Sequence, residues 1–514
     1  MSHALPNGWF QIQPELELAL QRRVERTPFC DLRRGCTVLD REQTDTQIVA
    51  KYVDAQGIKK SVRGSWLIGA DGKTGVVRKH FLEASAGIRQ VYSNYRYDGT
   101  WVAANLKMTL PTPQTHPNFP LWKLGYTPEE VYSLYWPEGW NFASPPGKPL
   151  AAGRFGPHEA RLWRHEFAQN DWDDSMDSEE LLWEHLIPMI TLKRGKDGEA
   201  FPDEVIYPRD CINILRCRPF RFTHKVVNKW FEDRTILIGD AAHVFPPFGG
   251  QGIASGLRDA HQLAWRLLVL QRACNTSRDF RDTVLKAWAR ERTASVKYAA
   301  NFTKLNGALC NEGDSWGFWI LRNVDWAIRQ LPLLGKNMPD PMAAPEIKGF
   351  KSCRRGSFST QFNGGGRIPQ VYVSSQLSGP VLSDTLLGVS HTAMNLLVLA
   401  GKHSESDKAE AKKALEQVKL PKSVLNENSI RLICTESHDS RPGSTEVYFP
   451  TPMEDLSHLD IYGRPKYAPS NFFSRFTPLT KFVIVRSDLF IYGLTNHYPD
   501  LLVCLTELKD SLGD

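Results

Sequence analysis

The sequence predicts an α/β protein in three parts: a strand–turn–helix domain, a β-rich region inserted into it, and a separate α/β domain at the carboxyl end. Three observations carry this. Thr235 to Leu267 reads as strand, Gly-Asp turn, proline- and glycine-rich loop, then helix. A second strand, Ser61 to Ala70, also ends in an acidic residue and a glycine, Asp71-Gly72. Beyond Leu331 to Pro345, a stretch with four prolines and no periodicity, three short apolar runs alternate with helical segments.

Taken in order, Gln13-Pro14-Glu15-Leu16-Glu17 opens a short amphipathic helix with apolar positions at Leu16, Leu20 and Val24. Thr46 to Asp54 alternates as a half-exposed strand with Ile48, Ala50 and Tyr52 on one side. Ala55-Gln56-Gly57 turns the chain, and Ser61 to Ala70 returns. His80 to about Pro208 is rich in Trp, Tyr, Pro and short strands, Leu162 to Phe167 among them. Thr235 to Ile238 is a β-branched run short enough to be a buried strand. Pro246, Pro247, Gly249, Gly250 and Gly252 then exclude regular structure. From Ile253 the apolar residues recur at Leu257, Ala260, Ala264 and Leu267, the spacing of one helix face. Arg281 to Leu309 reads as a long helix with Val284, Trp288, Val296 and Ala299 on one face. In the tail, Leu396 to Ala400, Ile430 to Cys434 and Phe482 to Val485 read as buried strands.

Composition bounds the function. At 514 residues and 41% hydrophobic, the chain can build two or three cores. A net charge of +6 is spread over 63 basic and 57 acidic residues with no long single-sign block, which argues against a nucleic-acid partner. Nine scattered cysteines without a C-x-x-C predict a reducing compartment and no disulfide framework. No signal-peptide pattern and no bilayer-length apolar run is evident, so the expectation is a soluble, cytoplasmic protein without a membrane partner.

The chemistry follows from the turn. An aspartate at the carboxyl end of a strand can accept from sugar hydroxyls. A glycine-rich loop lets backbone approach a flat ligand. A helix starting there aims unpaired N–H groups and a positive dipole end at whatever lies before it, which suits a ring carrying negative charge. Asp71, at the end of the other strand, either caps the next helix or joins Arg78 in orienting a pyrophosphate or a nicotinamide cofactor.

The run G-D-A-A-H-x-x-P-P-x-x-G-Q-G, from Gly239 to Gly252, followed by D-A-x-x-L-A-W-x-L, resembles the second FAD motif of class A aromatic-ring flavoprotein monooxygenases, the para-hydroxybenzoate and phenol hydroxylase family. Gln13 in Q-P-x-L-E resembles a glutamine that reaches the FAD, and Asp71-Gly72 resembles the family's D-G motif. The resemblance implies that Gly239 and Asp240 meet the ribitol or pyrophosphate side of FAD, and that Pro247 lines the ring-hydroxylation pocket. It further implies that Gly250, Gly252 and the backbone N–H groups of Ile253 and Ala254 meet the flavin. It departs at Ala254, where many relatives have Asn, and at Gly75, where many have Ser. Trp288-Ala289-Arg290-Glu291-Arg292 resembles the family's Y-x-x-E-R and reads as packing and ion pairing. Pro369 to Val373 and Val485-Arg486-Ser487-Asp488 resemble the thioredoxin-like tail of phenol hydroxylase relatives. That tail would be structural or a homodimer contact, since Cys353, Cys434 and Cys504 form no C-x-x-C pair.

The implied organisation is an incomplete FAD-binding, Rossmann-like domain (1–85 and 210–330), an inserted β-sheet substrate domain (86–209), a linker (331–345) and a thioredoxin-like domain (346–514). The implied activity is hydroxylation of a phenolic ring: NAD(P)H reduces FAD, and O2 supplies the oxygen atom. The spellings look most like fungal members, some of which act in secondary metabolism. Tyr95, Trp101, Tyr135, Trp140 and Arg154 are candidate substrate contacts that the sequence does not separate. The family's opening strand, G-x-G-x-x-G and helix, which hold the ADP half of FAD, are not among these residues. Gly250-Gln251-Gly252 follows a proline loop rather than a strand and does not replace them. The expectation is therefore either a shortened chain or a weakened grip on FAD; the second would make the protein a non-catalytic binding or scaffold relative.

Overall fold

The computed structural model describes residues 12–512 apart from 94–95, 144–147, 247, 274–276, 312–315, 331–348, 389, 401–403, 435–445, 457–468, 470–471 and 474–475. The expected linker, Tyr95 and Pro247 lie outside the described residues.

The two motif strands lie side by side. Leu67–Gly69 runs parallel to Thr235–Leu237, with Leu67 opposite Thr235 and Gly69 opposite Leu237, and Phe231–Glu232 pairs antiparallel on the far edge. Parallel neighbours need a long crossover, and here the crossover is the whole inserted region. Ile236 and Leu237 are fully buried among Val77, Phe81, Leu82 and Trp288.

Thr37–Gln43, Ile48–Val53 and Lys59–Gly64 form an antiparallel meander, with Ile48, Ala50 and Tyr52 inward as the alternation predicts. The expected single strand from Ser61 to Ala70 is two strands. Lys59–Gly64 belongs to the meander and Leu67–Gly69 to the parallel sheet. One straight strand cannot serve both pairings, so the chain breaks at Ser65-Trp66.

The insertion is a five-stranded antiparallel sheet in the order Ile212–Thr223, Asp98–Met108, Leu162–Ala168, Leu150–Phe155, Trp140–Ala143. Ile212–Thr223 pairs with Asp98–Met108 from end to end, so this stretch is part of the inserted sheet rather than of the returning cofactor domain. One face holds a core of Val102, Trp163 and Phe167 under the helix Ser178–Leu186. Trp101 and Ala151 form a second cluster with Phe248 of the glycine loop.

The motif helix spans Gln251–Arg272 and the long helix Arg278–Asn311. Val284, Trp288, Val296 and Ala299 of the long helix are buried as expected. The motif helix requires a correction. Ile253 is 57% and Leu257 54% exposed, and Ala260 and Ala264 are exposed too. The buried residues are Ser255, Asp259, Gln262, Leu263, Trp265, Arg266 and Val269. Buried ion pairs share the inward face with apolar packing. A further helix, Trp316–Gln330, which the sequence reading passes over, carries exposed Trp316, Trp319 and Trp326.

Among the described residues the tail has a seven-stranded sheet. Met394–Ala400 is parallel to Ile430–Cys434 and antiparallel to Phe482–Arg486, which turns into Ile491–Thr495 and the helix Tyr498–Ser511. That helix and Ser404–Val418 share a core that runs on into Trp265, Val269 and Val284 of the motif helix and the long helix. At this junction Glu291 accepts from Arg266, Arg486 and the Ser357 N–H, and Asp488 accepts from Arg486 and the Trp265 indole. Two cations and two anions balance in full burial, so V-R-S-D docks the tail. Cys353, Cys434 and Cys504 are buried and unpaired, and burial raises their thiols, that of Cys434 to about 11. Such thiols are inert. No helix among the described residues is long and apolar enough to cross a membrane.

Candidate cofactor site

Because the two motif strands are parallel and in register, their carboxyl ends coincide, and the Asp71-Gly72 and Gly239-Asp240 turns open at one end of the sheet. Ligands of open α/β sheets bind outside the carboxyl ends of the strands. Ile238 N–H donates to the Gly69 carbonyl (3.0 Å) and holds the turns together.

Asp71 is exposed and accepts the Val77 N–H at 2.9 Å, so it caps the following helix. Gly72 sits at φ +82°. A Cβ on Gly75 would lie 2.1 Å from the Asp71 carboxyl carbon, which explains glycine at that position here. Arg78 corrects the sequence expectation. It is buried, and its three guanidinium nitrogens go to the Ala241 carbonyl (3.1 Å), Glu83 and the Lys73 carbonyl. It braces one motif turn against the other and offers no free fork to a pyrophosphate.

The Gly239-Asp240 turn is held from behind. Asp259 Oδ2 accepts from the Gly239 N–H (2.8 Å) and His243 Nε2 (2.7 Å), and Oδ1 accepts from Arg292 Nε (2.6 Å). The side chains of Asp259, His243 and Arg292 are fully buried. Burial alone would raise the Asp259 carboxyl, but the His243 hydrogen bond and the Arg292 charge outweigh it and hold the group below the ordinary carboxylate range. Gln90 Nε2 donates to the Asp240 carbonyl at 2.8 Å. Asp240 itself is exposed. Desolvation raises its carboxyl against the pull of His243 and Lys73.

The motif helix begins at Gly250, at φ +61°, with no side-chain cap. A Cβ added to Gly239, Gly250 or Gly252 would meet nothing within 4 Å, so the space before the helix tip is open. The N–H groups of Gln251, Gly252 and Ile253 precede the first intrahelical bond, and Gly250 gives them no side-chain acceptor; the Ala254 N–H is already the N4 donor of the helix ladder. This is a cradle for a planar, electron-rich group, and it fits a flavin ring. Phe248 closes one side. It packs edge-on against Tyr97 and Trp101, at 5.4 and 5.1 Å between ring centroids, and ties the loop to the inserted sheet.

The other candidates separate. Trp101 and Trp140 belong to the Phe248 cluster. Tyr135 is inside the insertion's core, donating to the Val205 carbonyl (2.8 Å), and Arg154 donates to the Trp136 carbonyl (2.6 Å), so neither faces the loop cluster. Gln13 begins an exposed helix, Gln13–Glu25, and donates to Glu17 rather than to either turn. Sequence reasoning missed Asp259, His243, Arg292 and Gln90. A signal was present for the first: Ser255, Asp259, Gln262 and Arg266 repeat at helical spacing, a polar stripe as regular as the apolar one.

A family described as "FAD binding domain" matches residues 7–186 and 199–303, more than half of the chain. A probable NADH-specific resorcinol 4-hydroxylase of Rhodococcus jostii is 27% identical over 296 residues, 57% of this chain and 46% of that protein. The 3-(3-hydroxy-phenyl)propionate/3-hydroxycinnamic acid hydroxylase of Escherichia coli O157:H7 is 22% identical over 324 residues, 62% of this chain and 48% of that protein. The chain spans about half the length of these relatives. Among solved structures, aklavinone-11 hydroxylase with FAD and aklavinone superposes with a TM-score of 0.56 at 17% identity, covering 97% of this chain and 78% of that one. The OxyS anhydrotetracycline hydroxylase of Streptomyces rimosus gives 0.57 at 17%, covering 96% and 77%. These likenesses establish the overall fold.

Proposed function

Because this chain belongs to the FAD binding domain family, we propose that it is a flavin-dependent monooxygenase that hydroxylates a phenolic or similarly electron-rich ring, with NAD(P)H as reductant and O2 as oxidant. One observation carries the reading: two acidic turns converge at the carboxyl end of a parallel strand pair, in front of an uncapped helix tip with open space before it. The curated relatives support the reaction class, as both are hydroxylases of phenolic compounds by name.

When bound, FAD supplies the redox chemistry, passing reducing equivalents from NAD(P)H to O2 and one oxygen atom to the ring. The chain's own residues do the rest. Asp240 accepts from a cofactor hydroxyl. The N–H groups of Gly252 and Ile253, with the helix dipole, favour negative charge on the flavin. Gly239 and Gly250 keep side chains out of its way. Phe248 and Trp101, fully buried with Tyr97 and Trp140 packed against them, fix the loop against the inserted sheet. By motif position Pro247 lines the ring pocket. The C-terminal domain of the reading, 346–514, is a thioredoxin-like unit without redox cysteines, supported by its parallel β-α-β followed by a hairpin and helix.

The test is direct. The purified protein should bind FAD near one equivalent and oxidise NADH or NADPH faster when a phenol such as resorcinol is added, with a hydroxylated product by mass spectrometry. A folded, colourless protein that ignores added FAD overturns the reading and leaves a non-flavin binding protein.

A further inference from the structure

Far along the inserted sheet from the glycine loop's motif, the turn Arg209–Cys211 precedes the strand Ile212–Thr223, and the loop after Asp98–Met108 runs beside it. Strand pairing sets Ile212 opposite Met108, and the Thr109 N–H donates to the Cys211 carbonyl at 2.9 Å. That register brings three chemically distinct donors together. His116 Nε2 lies 3.2 Å from each Asp210 carboxylate oxygen and 3.9 Å from Cys211 Sγ, and all three donor atoms fall within 4.8 Å of one another.

We propose that His116, Asp210 and Cys211 form a binding site for a divalent transition ion of the zinc class. The spacing is the first argument. Zinc–nitrogen, zinc–oxygen and zinc–sulfur bonds in a tetrahedron place N and O about 3.4 Å apart and N and S about 3.6 Å apart. The observed separations lie within a few tenths of an ångström of both. The donor set is the second. Sulfur with imidazole selects zinc and its neighbours over magnesium or calcium, which take oxygen.

The orientation of His116 is the third argument. Its Nδ1 lies 2.9 Å from Thr115 Oγ1, its N–H donates to the Thr112 carbonyl (2.7 Å), and its carbonyl accepts from the Trp122 indole (2.7 Å). The ring is held from behind with Nε2 facing the other two donors, as outer partners hold metal-bound histidines. A nucleophilic triad does not fit. There the carboxylate contacts the ring nitrogen away from the nucleophile, whereas here Asp210 and Cys211 share Nε2. On binding, the Cys211 thiol gives its proton to solvent and the thiolate, imidazole and carboxylate each donate one electron pair. The exposed side of Asp210 leaves a fourth position to water. The ion would clip two loops about a hundred residues apart in sequence at the end of the substrate sheet, and it takes no part in the proposed hydroxylation.

The experiment uses the full chain, stripped of metal with a chelator and titrated with Co2+ alone, then with Zn2+ as competitor. The expected result is one equivalent of cobalt with a thiolate-to-metal charge-transfer band, displaced by zinc. Cys211→Ser should abolish that band, and His116→Gln and Asp210→Asn should each weaken cobalt binding by at least about tenfold. Both latter residues lie toward the surface, so these variants keep the test valid if Cys211→Ser folds poorly. No charge-transfer band at one equivalent, or unchanged affinity in His116→Gln, overturns the site.

Discussion

Replacing Asp259 with asparagine removes one buried charge and almost no volume. In the native protein that carboxylate serves the Gly239 N–H, His243 and Arg292 at once. The amide retains one oxygen and turns an NH2 group toward either His243 or Arg292, so one of those donors faces another donor. Arg292 is fully buried, and its other contacts, Gln262 Oε1 and the Ser255 carbonyl, are neutral. Its charge is then uncompensated. Breaking a buried pair by removing one partner costs about 3–5 kcal/mol, and that is the expected loss in denaturant unfolding followed by tryptophan fluorescence. The Gly239 turn loses its anchor too, so FAD titrated against flavin fluorescence should bind at least about tenfold more weakly, each decade being about 1.4 kcal/mol. If Asp259→Asn unfolds within about 1 kcal/mol of the parent, the carboxylate does not hold Arg292 as described. A stability loss with unchanged FAD affinity would refute the anchoring of the turn alone.

Three further outcomes are expected. Asp240→Ala should leave thermal unfolding within about 0.5 kcal/mol, as suits an exposed side chain, while stripping FAD on gel filtration; undiminished occupancy would remove Asp240 from the cofactor site. Glu291→Gln should cost about 3–5 kcal/mol and expose the tail junction to limited proteolysis, because Arg266 and Arg486 would face Asp488 alone. The third concerns acid. His165 and His185, 3.0 Å apart in the inserted core, are held neutral, His165 down to about 3 by burial and by its neighbour, and His185 to about 4 by burial. The unfolded chain takes up their protons near the ordinary imidazole value and the folded chain only near 3 and 4. Stability is therefore full above about pH 6.5 and drops toward pH 4 by about 3 kcal/mol per imidazole. Denaturant midpoints measured across that range should show a shallower fall in His185→Gln.

Much of the fold was readable because it is written in periods and turns. The alternation of Ile48, Ala50 and Tyr52 and the helical spacing of Val284, Trp288, Val296 and Ala299 reappear as buried faces. Glycines at 239 and 250 mark left-handed backbone at the turn and the helix start. The motif helix shows where this stops. Its apolar stripe and its polar stripe have the same period, and hydrophobicity assigns the wrong one to the interior. The energy that buries Asp259 and Arg266 comes from partners on other elements, Arg292, Glu291 and Arg486, and no local window contains them. Arg78 fails in part for the same reason: Glu83 and the Lys73 carbonyl are near in sequence, but the Ala241 carbonyl that ties it to the other turn is distant.

Those partners also make the two halves of the protein interdependent. Glu291 and Arg292 are consecutive on the long helix, yet Arg292 reaches Asp259 behind the Gly239-Asp240 turn and Glu291 reaches Arg266 and Arg486 at the tail. Asp259 and Arg266 are seven residues apart on the motif helix, two turns, or about 10 Å. One helix crossing thus carries both networks, and the tail domain is docked onto the element that positions the cofactor turn. Distant, independent sites add within about 0.5 kcal/mol, whereas sites sharing partners show coupling of about 0.5–3 kcal/mol. Asp259→Asn removes the partner of Arg292, and Glu291→Gln alters the adjacent residue of the same rigid helix, so their double-mutant cycle should give coupling in that upper range, and Glu291→Gln alone should weaken FAD binding although it touches nothing at the site. Additive losses, with FAD affinity unmoved by Glu291→Gln, would show the crossing to be two separate contacts that merely share a backbone.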